Sequence, residues 1–187
     1  MKTVLFTAPI ETENEVMLLI ELLELGLDYL YIYKPALDDF SLVDFVEKIP
    51  EKYWKQCISN SLIITKEFDF AGYYFTPDIL QKNELYNQKI FDWLKQKNKI
   101  CATAIAQPNA IANPNQFQHI FVPQSNIKHS RIHQLIALDC STISDIQQLK
   151  ATPIKGIEIS NFIWNNEDSE EAKTKMLEIL MELNTKK

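Results

Sequence analysis

Residues 134–149 read QLIALDCSTISDIQQL. The apolar run at 135–138 is the pattern of a buried strand, and the pattern from 141 onward is helical. A turn from a buried strand into a helix is where many α/β proteins hold a phosphate. The free N–H groups of the helix start face the anion there, and glycine usually lets the backbone approach it. Here Asp139 and Cys140 stand at that turn. The stretch therefore predicts an α/β unit whose usual ligand chemistry is altered.

The same alternation extends in both directions. Residues 3–8 (TVLFTA) predict a strand. Asn14 reads as the N-cap of a helix running to Leu25, with Gly26 at the position after its end. Residues 29–33 (YLYIY) predict a second strand, stopped by Lys34-Pro35. Ser41 opens a helix over SLVDFVEKI. Residues 62–65 (LIIT) predict a third strand and 72–76 (GYYFT) a fourth. Leu85, Ile90, Phe91 and Leu94 form one face of a helix over 83–97. Residues 100–105 (ICATAI) predict a fifth strand, and the Asn- and Pro-containing 109–116 a loop or broken helix. Residues 119–122 (HIFV) and 135–138 (LIAL) predict the sixth and seventh strands, and 156–160 (GIEIS) the eighth. Ser141 is the expected cap of the helix between the last two. Ser169 opens a final amphipathic helix carrying Ala172, Met176, Ile179, Leu180 and Leu183.

Eight continuous apolar strands alternating with helices indicate a parallel sheet covered on both faces. A closed (β/α)8 barrel and an open doubly wound sheet both fit. The connections after the third, fifth and sixth strands are too short for full helices, so a barrel of 187 residues is a compact one. A single domain is expected, with no repeat or low-complexity tract. The net charge of -6 argues against a nucleic-acid partner, since phosphate contacts need concentrated Lys and Arg. No apolar run approaches the ~18 residues of a membrane span. The opening MKTVLFTAPIETENE has an apolar part too short for a secretion signal. Three widely spaced cysteines indicate neither disulfides nor a thiolate zinc site, which makes the cytoplasm the expected compartment. Only three glycines are present, where average usage of ~7% would give about thirteen. A glycine-rich phosphate loop is excluded.

In order along nearly the whole chain, LDYLYIYKP (27–35), LIITKE (62–67), GYYFT (72–76), LIALDC (135–140) and KGIEISNFIWN (155–165) resemble the thiamine phosphate synthase/TenI family. The resemblance implies a compact (β/α)8 TIM barrel with several shortened helices. It also implies a pyrimidine pyrophosphate and magnesium at the C-terminal mouth, and a thiazole phosphate held by backbone N–H groups after strands seven and eight. This sequence departs from that pattern. The second-strand Gln-x-Arg pair is Tyr31 and Tyr33, leaving Lys34 as a point charge without a bidentate fork. The third-strand Asn-Asp is matched to Thr65-Lys66, putting a cation where an acid would meet the metal. Asp78 is the nearest acid to the second metal-side position. The Gly-Gly after strand seven is Asp139-Cys140, and the final turn is Ser160-Asn161-Phe162. Magnesium, the family's metal, thus finds its ligands not retained, and no cofactor is expected.

By geometry, the ligand-binding candidates at the strand ends are Tyr33, Lys34, Lys66, Thr76, Gln124, Asp139, Cys140 and Asn161, with Thr7 beside them. Each has a plainer reading. Lys34, Lys66 and Asp139 can form an ion cluster that replaces the metal site. Cys140 can be a small buried residue with Asp139 capping the helix, rather than a thiol activated at a helix start. The tyrosines of strands two and four can simply fill a small barrel. His129 and His133 have the i,i+4 spacing of metal ligands but lack a third partner. The resulting expectation is a barrel linked to thiamine metabolism, non-catalytic or altered in activity, with a small molecule as its partner and neither nucleic acid nor membrane. The alternatives are an active transferase or TenI-like isomerase on another small ligand, and a structural or protein-interaction barrel with none.

Overall fold

The structure, a computed structural model, describes residues 1–82, 84–107, 113–127, 132, 134–165 and 168–185. Eight strands close into one parallel barrel in sequence order, with β8 (Gly156–Glu158) pairing back onto β1 (Lys2–Phe6). Between these lie β2 (Tyr29–Ile32), β3 (Cys57–Ser59), β4 (Gly72–Phe75), β5 (Ile100–Ala104), β6 (His119–Pro123) and β7 (Leu135–Leu138). The outer layer holds α1 (Glu15–Leu25), α2 (Asp39–Glu47), α3 (Leu62–Glu67), α4 (Pro77–Lys82) and α5 (Glu84–Gln96). It is completed by α6 (Ile143–Leu149), α7 (Ser160–Trp164) and α8 (Ser169–Asn184). Among the described residues, β5 and β6 are followed only by single 3-10 turns, Pro114–Gln116 and Gln124–Asn126, as the short connections require.

The expected third strand is corrected. Residues 62–65 lie in α3, and the strand is the three-residue CIS segment before it. Ser61 caps α3 by accepting the Ile64 N–H, and the Thr65 hydroxyl donates to the Ser61 carbonyl at 2.8 Å. A four-residue apolar run does not reveal its own period, and the cap decided it. Caps also move elsewhere. Asp38, not Ser41, caps α2; Thr142, not Ser141 or Asp139, caps α6; Asp168 caps α8. Asn14 sits in the left-handed region at φ 62° and makes no side-chain cap bond.

The period-2 alternation divides each strand between two cores. Val4, Tyr31, Ile58, Tyr74, Ala102, Phe121 and Ile136 pack inside the barrel. Leu5, Leu30, Ile32, Phe75, Ile120, Val122 and Ile157 face the helices. Gly72 is required by closure: a Cβ there would lie 2.2 Å from the Ile100 carbonyl oxygen on the adjacent strand. Gly26 ends α1 at φ 113°, as read from the sequence.

Candidate functional site

The strands' C-terminal ends form the mouth, where barrels of this kind carry their ligand sites. Beneath it the interior is filled by rings. Phe6 lies 4.8 Å from Tyr31, 5.4 Å from Tyr74 and 5.1 Å from Phe121, centroid to centroid, and Tyr31 and Phe121 meet edge-on at 4.9 Å. Tyr33, half-buried just past β2, leans edge-on against Tyr74 at 6.1 Å. Deeper down, the Tyr31 hydroxyl and His119 Nδ1 make a 2.6 Å hydrogen bond. Burial, with help from the positive charges of Lys155 and Lys2, pushes His119 down to about 3, so its ring is neutral at physiological pH. Burial also raises the Tyr31 phenol well above its ordinary value.

Two carboxylates stand at the ends of the neighbouring strands β7 and β8, Asp139 just past β7 and Glu158 on β8. Glu158 is the last residue of β8 and is buried on the inward side, in register with Val4. Its Oε1 accepts the Ser160 N–H at 2.7 Å, and the Asp139 N–H also supports the ionised form. Desolvation outweighs both and raises its pKa, and the Asp139 charge adds to the rise. Asp139 is exposed at φ 61°, a left-handed conformation that favours glycine and that Asp tolerates better than most residues. Its neighbour Cys140 is fully buried and its thiol is pushed up to about 12 by burial, then by the charges of Glu158, Asp145 and Asp139. A thiol so placed is inert.

The other candidate residues scatter. Lys34 alternates outward from Tyr33, is buried, and pairs with Glu15 at 2.5 Å. Lys66 lies on α3, exposed, with its ammonium 5.3 Å from the Trp93 ring centre. The expected ion cluster of Lys34, Lys66 and Asp139 therefore does not form. Thr76 caps the start of α4 through the Ile79 N–H. Gln124 donates to Asp145, itself part of the α6 capping box. Asn161 is exposed in the first turn of α7. Thr7 braces Tyr33, with its hydroxyl donating to the Tyr33 carbonyl at 3.1 Å and accepting the Tyr33 N–H at 3.0 Å. A cavity of about 560 Å³ opens over the ends of β5–β7, walled by Pro77, Leu80, Ala104, Ile105, Pro123 and Leu138. Among the described residues its lining carries no charged side chain.

With β3 ending at Ser59, the residues at that strand end are Asn60 and Ser61, not Thr65 and Lys66. The expected Asn-Asp pair thus falls on an asparagine and a helix-capping serine, with no carboxylate for a metal. Asp78 is exposed in the first turn of α4. This donor set does not fit a hard divalent cation, which needs several oxygen ligands with carboxylates among them. Among the described residues no group of three or more His, Cys, Asp or Glu side chains is placed to hold a metal. His129 and His133 lie outside the described residues.

No family model and no curated protein matches the sequence. Solved structures do. Thiamine phosphate pyrophosphorylase from Bacteroides thetaiotaomicron superposes with a TM-score of 0.79 over 100% of both chains, at 17% identity. The fold is shared with thiamine phosphate pyrophosphorylases. The Pyrococcus furiosus protein of that name matches at 0.69, with 96% of each chain covered and 12% identity. Orotidine 5'-phosphate decarboxylase from Pyrococcus horikoshii matches at 0.62, covering 95% of this chain and 99% of its own, at 15% identity. At such identities the likeness concerns the barrel and not the side chains at its mouth.

Sequence reasoning missed three residues. Glu158 had a signal, being an acid in the middle of the apolar GIEIS. His119 had a weaker one at the head of HIFV. Glu15 had none beyond being an acid in a first helical turn, the usual place for a solvated one.

Proposed function

We propose that this chain is a thiamine phosphate synthase/TenI-like barrel of thiamine metabolism that no longer carries out the parent transfer and takes a small ligand without a phosphate. The observation that supports this most is the pair Asp139 and Glu158 at the ends of β7 and β8. In the family those turns hold a phosphate through backbone N–H groups. Here Asp139 keeps a glycine-like backbone while adding a carboxylate, and one nearby N–H is already donated to Glu158. The exposed Asp139 carboxylate repels a phosphate beside it by about 1–4 kcal/mol at ~4 Å, and Glu158 occupies the N–H groups that would hold the anion. Tyr33, Thr76, Asp139 and the exposed Asn161 are the mouth residues proposed to meet the ligand, with Gln124 and Cys140 supporting the turn after β7. The three buried, unpaired thiols are in keeping with a cytoplasmic setting.

Thermal shift tests the reading. Thiazole phosphate, pyrimidine pyrophosphate and thiamine phosphate, each with and without magnesium, are expected to leave the melting temperature unchanged at millimolar concentration, since a retained micromolar site would add roughly 4 kcal/mol at 1,000 times its Kd. A clear stabilisation by any of them, or formation of thiamine phosphate from the two precursors, overturns it. A second reading, a structural or interaction barrel with no ligand, is favoured by the ring-filled interior. It predicts no shift with unphosphorylated thiazole or thiamine either.

A further inference from the structure

Lys34 was expected at the ligand and instead meets Glu15, with both side chains essentially free of solvent contact (1% and 0% exposed). Burying two charges is costly unless every polar atom is used. Here both oxygens of the carboxylate are used by the segment between β1 and α1. Glu15 Oε1 accepts the Ala8 N–H at 3.1 Å, and Oε2 accepts the Thr12 N–H at 3.3 Å together with the Lys34 ammonium at 2.5 Å. One carboxylate thus holds the start of the loop, its far end and the end of β2. Lys34 also places its ammonium 4.9 Å from the Phe45 ring centre on α2. The loop re-enters α1 through Asn14 in the left-handed region, which Asn adopts more readily than most residues. Between the loop and the start of α8 opens a groove of about 570 Å³, with Thr12, Asn14 and Ser169 on its exposed rim and Ala8, Ile163 and Trp164 deeper in its wall.

We infer that Glu15 and Lys34 form a latch that pins the β1–α1 loop in place as one wall of this groove. The loop's order depends on the charge pair, whereas the barrel's order does not. The geometry favours this division because both bonded amides belong to the loop end of the unit, while the strands keep their own ladder. The inference is independent of which ligand, if any, the mouth accepts.

Hydrogen exchange and thiol labelling test it on the full chain. Glu15→Gln leaves Lys34 charged and unpaired and is the variant most prone to misfold, so Glu15→Gln with Lys34→Met is the companion in which no buried charge remains. Leu18 is partly exposed, so Leu18→Cys, introduced into each background, reports release of the loop as a rise above the labelling rate it shows with the Glu15–Lys34 pair intact. The three native thiols are buried and stay silent. The expected result is that exchange at the Ala8 and Thr12 amides, and labelling at position 18, rise about tenfold or more on losing charge-assisted bonds, with β5–β7 amides unchanged. Unchanged loop exchange and labelling overturn the inference. A rise in loop and strands together, in the double variant as in the single one, overturns it too, by showing that the pair holds the whole fold.

Discussion

Glu158 puts a carboxylate among the inward-facing residues of a barrel otherwise filled with rings and aliphatic chains. Its raised pKa has a definite consequence for stability. Between the ordinary glutamate value and the raised one, the folded state keeps a proton that the unfolded chain has released. The stabilisation this brings is complete below the ordinary value and is lost as pH rises through the folded one. Glu158→Gln removes the charge and keeps an acceptor for the Ser160 N–H. The variant is expected to melt higher than the parent at pH 8 and to differ little from it at pH 4. Equal shifts at both pH values, measured by circular dichroism, would show that the carboxylate's desolvation is not what the substitution relieves.

At the scale of elements, turns and caps carried more than apolar patterning did. The capping box of α6 is complete: Thr142 accepts the Asp145 N–H, and Asp145 accepts the Thr142 N–H. Thr142→Ala is expected to destabilise the protein by about 1 kcal/mol, with Ser141→Ala within a few tenths, as read from urea unfolding. The reverse order would restore Ser141 as the cap. The misplacement of β3 has the same origin. LIIT is as good a strand as it is a helical turn, and Ser61 together with the Thr65 back-bond selected the helix. That shift of a few residues moved Lys66 from the mouth to the outer layer beside Trp93. A site residue assigned by counting along a short strand inherits any error in the strand's position.

Across the whole molecule, the four rings of Phe6, Tyr31, Tyr74 and Phe121 lock strands from opposite sides of the barrel together. Phe121→Ala is expected to cost about 3–5 kcal/mol in chemical denaturation, because a closed barrel relaxes little into the space left. A loss under 1 kcal/mol would show that the interior collapses freely. Most of this architecture was legible in the chain. Seven of the eight strands fall on apolar runs visible in the sequence, and barrel closure accounts for the close approach at Gly72. Those features depend on period, length and backbone freedom, which are local properties. Which face each strand residue takes was not legible: a parallel strand buried on both sides shows no polarity difference to tell inward from outward. Lys34 reads as a mouth cation and is a buried partner of Glu15, and Glu158 reads as one more residue in an apolar strand and is the acid facing the interior. The sequence by itself determined the strand–helix alternation and seven of the eight strands, while the third strand and the short helices beside it were settled by local caps. Only closure of the barrel decided which charges meet, because that depends on strands far apart in the chain coming side by side.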